Sequence, residues 1–167
     1  MRSTGEVLGI ADSFPMAYFK AEEAAKPVLP TEGTVLISTP EKTGMLESIG
    51  KEFQKLGFKI LSTGGTHDFL ASKGVKSEVI LKLHEGRPNI NDAIANKQIS
   101  LVVNTPIGKR GYTDDSYIRK AAIKHKIPYI TTLPAALAAA KGIAAYKKGK
   151  AGVTSLQEYQ KNFKEDL

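Results

Sequence analysis

The residues that decide the fold are "ILSTGGTHDFLASKG" (60–74), in which an apolar run passes directly into a helical pattern. Two glycines flanked by threonines, residues 63–66, stand at the junction. The pattern predicts a strand, then a short helix from about Thr66 to Gly74, and "SEVILK" (77–82) follows as the next strand. A strand, a helix and a second strand in close succession are typical of a βαβ unit, in which both strands are parallel.

The same alternation of strands and helices continues from residue 34 toward the C-terminus. Apolar runs predict five strands, at residues 34–38, 59–63, 77–82, 100–106 and 127–132. Helical patterns predict helices at about 45–56, 66–74, 92–96, 113–126, 133–149 and 155–163. The third strand is apolar almost throughout, as burial on both faces requires. We therefore predict an α/β fold, a three-layer α/β/α, Rossmann-like arrangement around a five-stranded parallel sheet.

The N-terminal residues do not follow this alternation. "SFPMAYFKAEEAAK" (13–26) predicts a single helix, and Pro27 and Pro30 mark a linker before the first strand. We expect residues 1–30 to be the tail of a preceding domain, with its helix and linker, and residues 31–167 to form the sheet domain.

Composition excludes several kinds of chemistry. The chain of 167 residues has no cysteine, which excludes disulfides, thiolate nucleophiles and zinc–thiolate sites. It has no apolar run of 18 residues and no secretory signal pattern, so we expect no membrane partner. The absence of cysteine also suits a cytoplasmic protein, and no metal site is expected.

Net charge indicates an anionic partner. The formal charge is +7 at pH 7, and a positive field attracts phosphates and carboxylates. The lysines are spread along the chain and aromatic residues reach only 7%, so a base-stacking surface for nucleic acid is poorly supported. A small anion is therefore the favoured ligand, and an RNA-binding protein is the less favoured alternative.

Polar residues follow four of the predicted strands where those strands end. In an open parallel sheet, these ends converge with the N-termini of the next helices to form the ligand site. Glycine amides, hydroxyls, lysines and a helix N-terminus together suit a phosphate group. The residues at these ends are Ser38, Thr39, Lys42, Ser62, Thr63, Gly64, Gly65, Thr66, Lys82, His84, Asn104 and Thr105.

Each of these features has an ordinary structural alternative. Residues 63–66 can form only a tight turn and a helix N-cap, a role that threonine and glycine often fill. His84 can be an acid or base, or simply a packing residue. Lys109 and Arg110 can clamp an anion from the loop after the fourth strand, or remain solvated. Tyr129 can be a core residue or a ligand contact.

The motifs "STPEKTG" and "LSTGGT" resemble the signature of the methylglyoxal-synthase-like domains. Within that family, "HEGRPNI" and "NTPIGKR" are similar to the C-terminal regulatory domain of carbamoyl phosphate synthetase large chains. The N-terminal "MRSTGEVLGIADSFPMAYFKA" resembles the end of the synthetase domain that precedes it. The resemblance covers essentially the whole chain.

This resemblance implies an allosteric effector site for a nucleoside monophosphate, UMP or IMP, without catalytic residues or a cofactor in the domain itself. The expected phosphate-binding residues are Ser38, Lys42, Thr63, Gly64, Gly65, Thr66 and Lys82. The expected nucleoside-binding residues are Asn104, Thr105, Lys109 and Arg110. Tyr129 and Thr131 match positions that help to bind ornithine in related enzymes.

The resemblance also implies a parent enzyme, an ATP-dependent, glutamine-hydrolysing ligase of pyrimidine and arginine biosynthesis that uses ATP with Mg or Mn ions. Its expected partners are the preceding synthetase domain and a glutaminase small subunit, and homo-oligomer formation stays open. The enzyme alternative is a methylglyoxal-synthase-like lyase acting on a triose phosphate. Against it, Arg87 in "EGRPN" stands where that lyase has its catalytic aspartate, and an arginine cannot act as a carboxylate base.

Overall fold

A computed structural model describes residues 6–25, 27–105, 108–149 and 152–164, while the side chains of residues 108–115 and 162–164 lie outside the described part. None of the helices in these ranges is both long and apolar enough to cross a lipid bilayer. The elements in chain order are α1 (Phe14–Ala25), β1 (Thr34–Ser38), α2 (Gly44–Lys55), β2 (Lys59–Ser62), α3 (Gly64–Ser72), β3 (Glu78–Val79), α4 (Ile90–Ala95), β4 (Leu101–Asn104), α5 (Gly108–Lys124), β5 (Tyr129–Ile130), α6 (Leu133–Lys148) and α7 (Leu156–Lys164).

The five strands form one parallel sheet in the order β3-β2-β1-β4-β5. Strand β1 lies at its centre, where Val35 is opposite Ile60 of β2 on one side and Leu101 of β4 on the other. The chain order reverses direction across the sheet at β1 and β4, where a doubly wound sheet opens its ligand crevice. The predicted five-stranded parallel sheet is confirmed.

Both faces of the sheet are covered, because successive residues of β1 point to opposite sides. Val35 and Ile37 are fully buried in a core shared with α1, α2, α3 and α6. Leu36 is fully buried in a second core with residues of α4 and α5. The predicted three-layer α/β/α arrangement is therefore confirmed.

Helix α1 packs on the sheet domain through α6. Phe19 is only 2% exposed, belongs to the larger core and stacks on Tyr146 with ring centroids 4.4 Å apart. A Cβ atom at Gly142 would lie 2.8 Å from the carbonyl oxygen of Pro15, so the glycine permits the close approach of the two helices. The expected boundary at residue 30 stays a prediction, but α1 contributes directly to the core of residues 31–167.

Strand β3 is shorter and more exposed than predicted. Only Glu78–Val79 pair with β2, and both are exposed, since β3 is an edge strand with a single neighbour. After it, Leu81 pairs with Asn89 instead, in an isolated parallel bridge. The prediction of a strand over 77–82 buried on both faces is wrong, because β3 lies at the sheet edge, where Val79 is 54% exposed and Ile80 packs only partly buried against the second core.

Several other boundaries differ from the predictions, and three of them illustrate why. Strand β5 stops at Ile130 because the side chain of Thr132 accepts a hydrogen bond from the Ala135 amide and caps α6. Helix α4 starts early because Asn89 and Asp92 form a reciprocal capping box. Helix α5 begins at Gly108 instead of after a Thr113 cap, so residues 108–112 of the predicted loop are helical. Helix propensity is a weak guide beside tertiary context.

Candidate functional site

Polar side chains gather where β1, β2 and β4 end, at the carboxyl edge of the sheet. Strand β1 leads into the loop that carries Lys42, and β2 leads at once into α3. Thr105 directly follows β4, and its amide donates to the Ser38 carbonyl over 3.1 Å. The topology thus places the predicted residues of three strand ends side by side.

The hydroxyl of Thr66 is the centre of this arrangement. Thr66 is 1% exposed. Its Oγ1 accepts hydrogen bonds from Lys42 Nζ over 2.9 Å and from the Thr39 amide over 3.3 Å. The same hydroxyl donates to the Thr39 carbonyl over 3.0 Å. Since Thr66 lies in the first turn of α3 and Thr39 directly follows β1, these bonds fix one strand end against the next helix.

Lys42 and Lys82 place two cations at the same edge. The Lys42 ammonium also donates to the carbonyl of Thr39. Burial lowers the pKa of Lys42 from its ordinary 10.5, and the charge of Lys82 lowers it further, while the carboxylate of Asp68 opposes both effects. An anion bound between the two lysines would relieve this repulsion.

The N-terminus of α3 faces this edge without a side-chain cap. Thr63 occupies the N-cap position with extended backbone angles (φ −69°, ψ 150°), but its side chain makes no capping hydrogen bond. Its hydroxyl instead lies 3.5 Å from Ser38 Oγ and 3.4 Å from Thr66 Oγ1. Thr63 is therefore the N-cap of α3 through its backbone, and phosphate binding by residues 63–66 stays a prediction.

Gly64 and Gly65 are the first two residues of α3, where backbone amides have no acceptor within the helix. The amides of Thr66 and His67, by contrast, both donate to the Thr63 carbonyl. A Cβ atom at Gly65 would lie 4.0 Å from Lys42 Cε, and one at Gly64 would meet nothing within 4 Å. The two glycines thus leave room for a ligand beside the helix N-terminus and Lys42.

The end of β4 joins the same network. Thr105 and Thr39 are both buried, and the Thr105 hydroxyl donates to that of Thr39. Asn104 is 6% exposed, and its Nδ2 donates to the phenolic oxygen of Tyr129 over 2.7 Å. These contacts bring Asn104 and Thr105 beside the cluster built from β1, β2 and α3.

Tyr129 and Thr131 line a groove of about 640 Å³. Tyr129 is half-buried and packs against the second core, while Thr131 is exposed. Arg119 of α5 holds its guanidinium 5.3 Å from the centre of the Tyr129 ring. Tyr129 is therefore a packing residue that also contacts Asn104, and its role as a ligand contact stays a prediction.

Comparison with known families gives one domain match. Residues 45–131, more than half of the chain, match the family model described as MGS-like domain. The chain belongs to this family. The match spans the elements from α2 to β5 and therefore includes Thr63, Thr66, Lys82 and Asn104.

Known relatives of this MGS-like chain are carbamoyl phosphate synthase large chains. The Archaeoglobus fulgidus protein is 49% identical over 161 residues, which cover 95% of this chain and 15% of that protein. The "Carbamoyl phosphate synthase large chain, C-terminal section" of Aquifex aeolicus is 47% identical over 165 residues, 95% of this chain and 30% of that section. A Methanosarcina barkeri large chain is 43% identical over 169 residues, 99% of this chain and 42% of that protein.

These relatives confirm the resemblance that "HEGRPNI" and "NTPIGKR" indicate. The chain spans less than half the length of each of these relatives. Within the described ranges, no group of three histidine, aspartate or glutamate side chains is arranged to hold a metal ion.

Four further predicted residues of the MGS-like site lie on the segments that follow β3 and β4. Lys109 and Arg110 belong to the first turn of α5 rather than to a loop, and their side chains lie outside the described residues. Lys82 is half-buried, and its backbone amide donates to Glu85 Oε2 over 2.8 Å. His84 is exposed.

Sequence reasoning named Thr39 as a strand-end residue without its bonding role, and it missed Arg119. Thr39 joins Lys42, Thr66 and Thr105, and its position between Ser38 and Lys42 in "STPEKTG" was the available signal. Arg119 reaches Tyr129 from α5, and no motif marks it, since the contact depends on how α5 lies against β5.

Proposed function

We propose that this chain is a regulatory domain that binds a nucleoside monophosphate, UMP or IMP, as an effector within a carbamoyl phosphate synthase large chain. The observation that carries the proposal is the convergence of Lys42, Thr66 and the N-terminus of α3 at one sheet edge. Membership in the MGS-like family and the identity of the relatives support the same conclusion.

The chemistry of this edge suits a phosphate dianion. A phosphate oxygen accepts from backbone amides at a helix N-terminus and from lysine, and both interactions are strengthened by the anionic charge. Lys42 and Lys82 supply the charge, the hydroxyls of Ser38 and Thr63 supply donors, and the amides of Gly64 and Gly65 complete the cradle. Bound phosphate would also offset the burial and repulsion that lower the pKa of Lys42.

The nucleoside then extends toward the end of β4. Asn104 and Thr105 lie beside the cradle, and Lys109 and Arg110 follow them on α5, where they complete the proposed nucleoside contacts. Tyr129 and Thr131 line the neighbouring groove, which we propose as the part of an ornithine site that this domain supplies.

Regulation places requirements on the parent enzyme. We propose an ATP-dependent, glutamine-hydrolysing ligase of the cytoplasm, with ATP and Mg or Mn ions, a preceding synthetase domain and a glutaminase small subunit as its components. The effector must bind the less active and the more active states unequally, since equal affinity shifts no equilibrium. A coupling free energy of about 1 to 3 kcal/mol is typical of such regulation.

The lyase alternative is not favoured. Arg87 is mostly exposed, and its guanidinium is paired with Asp92, with Nη2 2.7 Å from Oδ1 and Nε 3.3 Å from Oδ2. An arginine in this pair supplies no carboxylate base for a triose phosphate. The relatives described above are, moreover, all named as carbamoyl phosphate synthase large chains.

Isothermal titration of UMP and IMP into the chain, beside its Thr63→Ala variant, tests the proposal. We expect saturable one-to-one binding that the variant weakens by about 1 to 3 kcal/mol, the cost of a lost hydrogen bond to a charged group. Phosphate release from dihydroxyacetone phosphate would favour the lyase, and oligonucleotide binding with a steep salt dependence would favour an RNA-binding protein. Either result, without nucleotide binding, would overturn the proposal.

A further inference from the structure

We infer that Tyr129 is a positioning residue for nucleoside recognition, acting through Asn104, whose side-chain amide its hydroxyl orients. The inference rests on the proposed function and goes beyond it, because it gives Tyr129 a role in nucleotide binding. It also separates the recognition of the nucleoside from the recognition of the phosphate.

The register of the sheet explains why Tyr129 reaches Asn104. Tyr129 is paired with Val102, so it lies two residues behind Asn104 on the neighbouring strand. Its long side chain spans this offset, and its phenolic oxygen accepts from Asn104 Nδ2 over 2.7 Å. A shorter side chain at this register position would not reach the carboxyl edge of the sheet.

The hydrogen bond matters because the two ends of an amide differ. One end is a carbonyl acceptor and the other an NH₂ donor, so a partner that takes the donor end fixes which way the acceptor faces. Asn104 is 6% exposed, and the loss of a hydrogen bond to a buried group costs free energy. In the structure the Tyr129 hydroxyl is bonded to the Nδ2 end of the amide, and this bond holds the Asn104 side chain in place at the nucleoside end of the site.

The phenol is itself held in place. Tyr129 lies on β5, which is paired with β4, and its ring packs against the second core. The Arg119 guanidinium lies 5.3 Å from the centre of the ring. A cation over an aromatic face is attracted by the ring quadrupole. The hydroxyl is thus fixed by contacts on the ring that do not involve Asn104.

The phosphate cradle is built from different contacts. Lys42, Thr63 and Thr66 are held by one another and by Thr39 and Ser38, through hydrogen bonds of β1 and α3. Loss of the Tyr129 hydroxyl should leave these bonds intact. Nucleotide affinity should therefore fall while inorganic phosphate affinity does not, a distinction that general structural damage would not produce.

The experiment is calorimetric titration of UMP and, separately, of inorganic phosphate into the wild-type chain, Tyr129→Phe, Asn104→Ala and the double variant. Tyr117→Phe, the same change at an exposed tyrosine of α5, is the matched control. We expect Tyr129→Phe to lower the affinity for UMP about five- to tenfold, which corresponds to the loss of one hydrogen bond. The affinity for inorganic phosphate should stay within about twofold of that of the wild type. When Asn104 is already replaced by alanine, Tyr129→Phe should cause no further loss of affinity for UMP.

The inference is overturned if Tyr129→Phe leaves UMP affinity unchanged, weakens both ligands equally, or adds its full effect to that of Asn104→Ala. Such results with a wild-type chain that binds UMP would leave the proposed function standing. A wild-type chain that binds neither ligand would overturn both. The two failures are therefore distinguishable in one set of titrations.

Discussion

The ammonium nitrogen of Lys42 lies 2.9 Å from the hydroxyl oxygen of Thr66, across a separation of 24 residues in the chain. This contact joins the loop after β1 to the first turn of α3. The same hydroxyl is bonded to the backbone of Thr39. The position of the Lys42 ammonium is therefore fixed by residues that follow β1 and β2. The site is thereby organised before any ligand arrives.

Replacing Lys42 should impair binding without unfolding the chain. We expect Lys42→Ala to weaken the binding of UMP by about 1 to 3 kcal/mol, because a charged hydrogen-bond donor to the phosphate is lost. Calorimetry measures this loss, with Lys51→Ala as the control, since Lys51 is an exposed lysine of α2 paired only at the surface with Glu47. Equal affinities for Lys42→Ala and Lys51→Ala would remove Lys42 from the site.

Replacing Thr66 should impair stability as well as binding. Thr66→Val keeps the shape of the side chain but removes the hydroxyl that accepts from the Thr39 amide in a buried place. We expect the free energy of unfolding to fall by about 1 to 3 kcal/mol in urea denaturation. Thr66→Ser retains the hydroxyl, so its free energy of unfolding should fall less than that of Thr66→Val. A valine variant as stable as wild type would show that the bond network contributes little.

Gly65 tests the open surface at the start of α3. A methyl group there clears the protein, its nearest neighbour being Lys42 Cε at 4.0 Å, so Gly65→Ala should be as stable as wild type or up to about 1 kcal/mol more stable. Binding of UMP should fall roughly tenfold or more, because the methyl group occupies space that the phosphate needs. Gly149→Ala, at the C-cap of α6, also has room for a methyl group and serves as control. Unchanged UMP affinity in Gly65→Ala would place the ligand elsewhere.

Alkaline pH should reveal the coupling between Lys42 and phosphate. The pKa of Lys42 is below 10.5 in the folded protein because burial and Lys82 disfavour the cation. Between this lowered pKa and 10.5 the unfolded chain binds more protons, so the free energy of unfolding should rise with pH. A bound dianion favours the cation, so binding at a pH just below 10.5, where part of Lys42 is neutral, should take up protons. Inorganic phosphate titrated in buffers of different ionisation enthalpy measures this uptake, and Lys42→Ala should abolish it. Equal uptake by both proteins would assign the protons to another group.

Much of the architecture could be predicted from the sequence, because strands buried on both faces read as short apolar runs. The runs that became β1 and β4 are buried at almost every residue. The run at 77–82 has the same character, yet only Glu78–Val79 pair at the sheet edge. Hydrophobicity does not tell whether an apolar run lies at the centre of the sheet or at its edge, where Val79 is 54% exposed.

Local capping and packing set the remaining boundaries. Thr132 belongs to the apolar run of β5 in sequence, but its hydroxyl caps α6 and so ends the strand. The docking of α1 depends on the small Gly142 opposite Pro15 and Phe19, a match of shapes that neither helix reveals alone. Such partners become visible only once the helices are placed in space.

The candidate site was predictable in outline, because strand ends of a parallel sheet converge whatever their sequence. That rule placed Thr63 and Lys42 together, 21 positions apart in sequence but linked in space through Thr66. It did not identify Thr39 as the residue whose backbone joins them, since a carbonyl acceptor has no sequence signature.

A crystal structure of the chain grown with UMP is the most direct test of the proposed effector site. We predict the phosphate oxygens within about 3 Å of Lys42 Nζ, of the Thr63 hydroxyl and of the Gly65 amide, with the ribose and base directed toward Asn104. UMP bound on another surface, with no ligand at the start of α3, would contradict it.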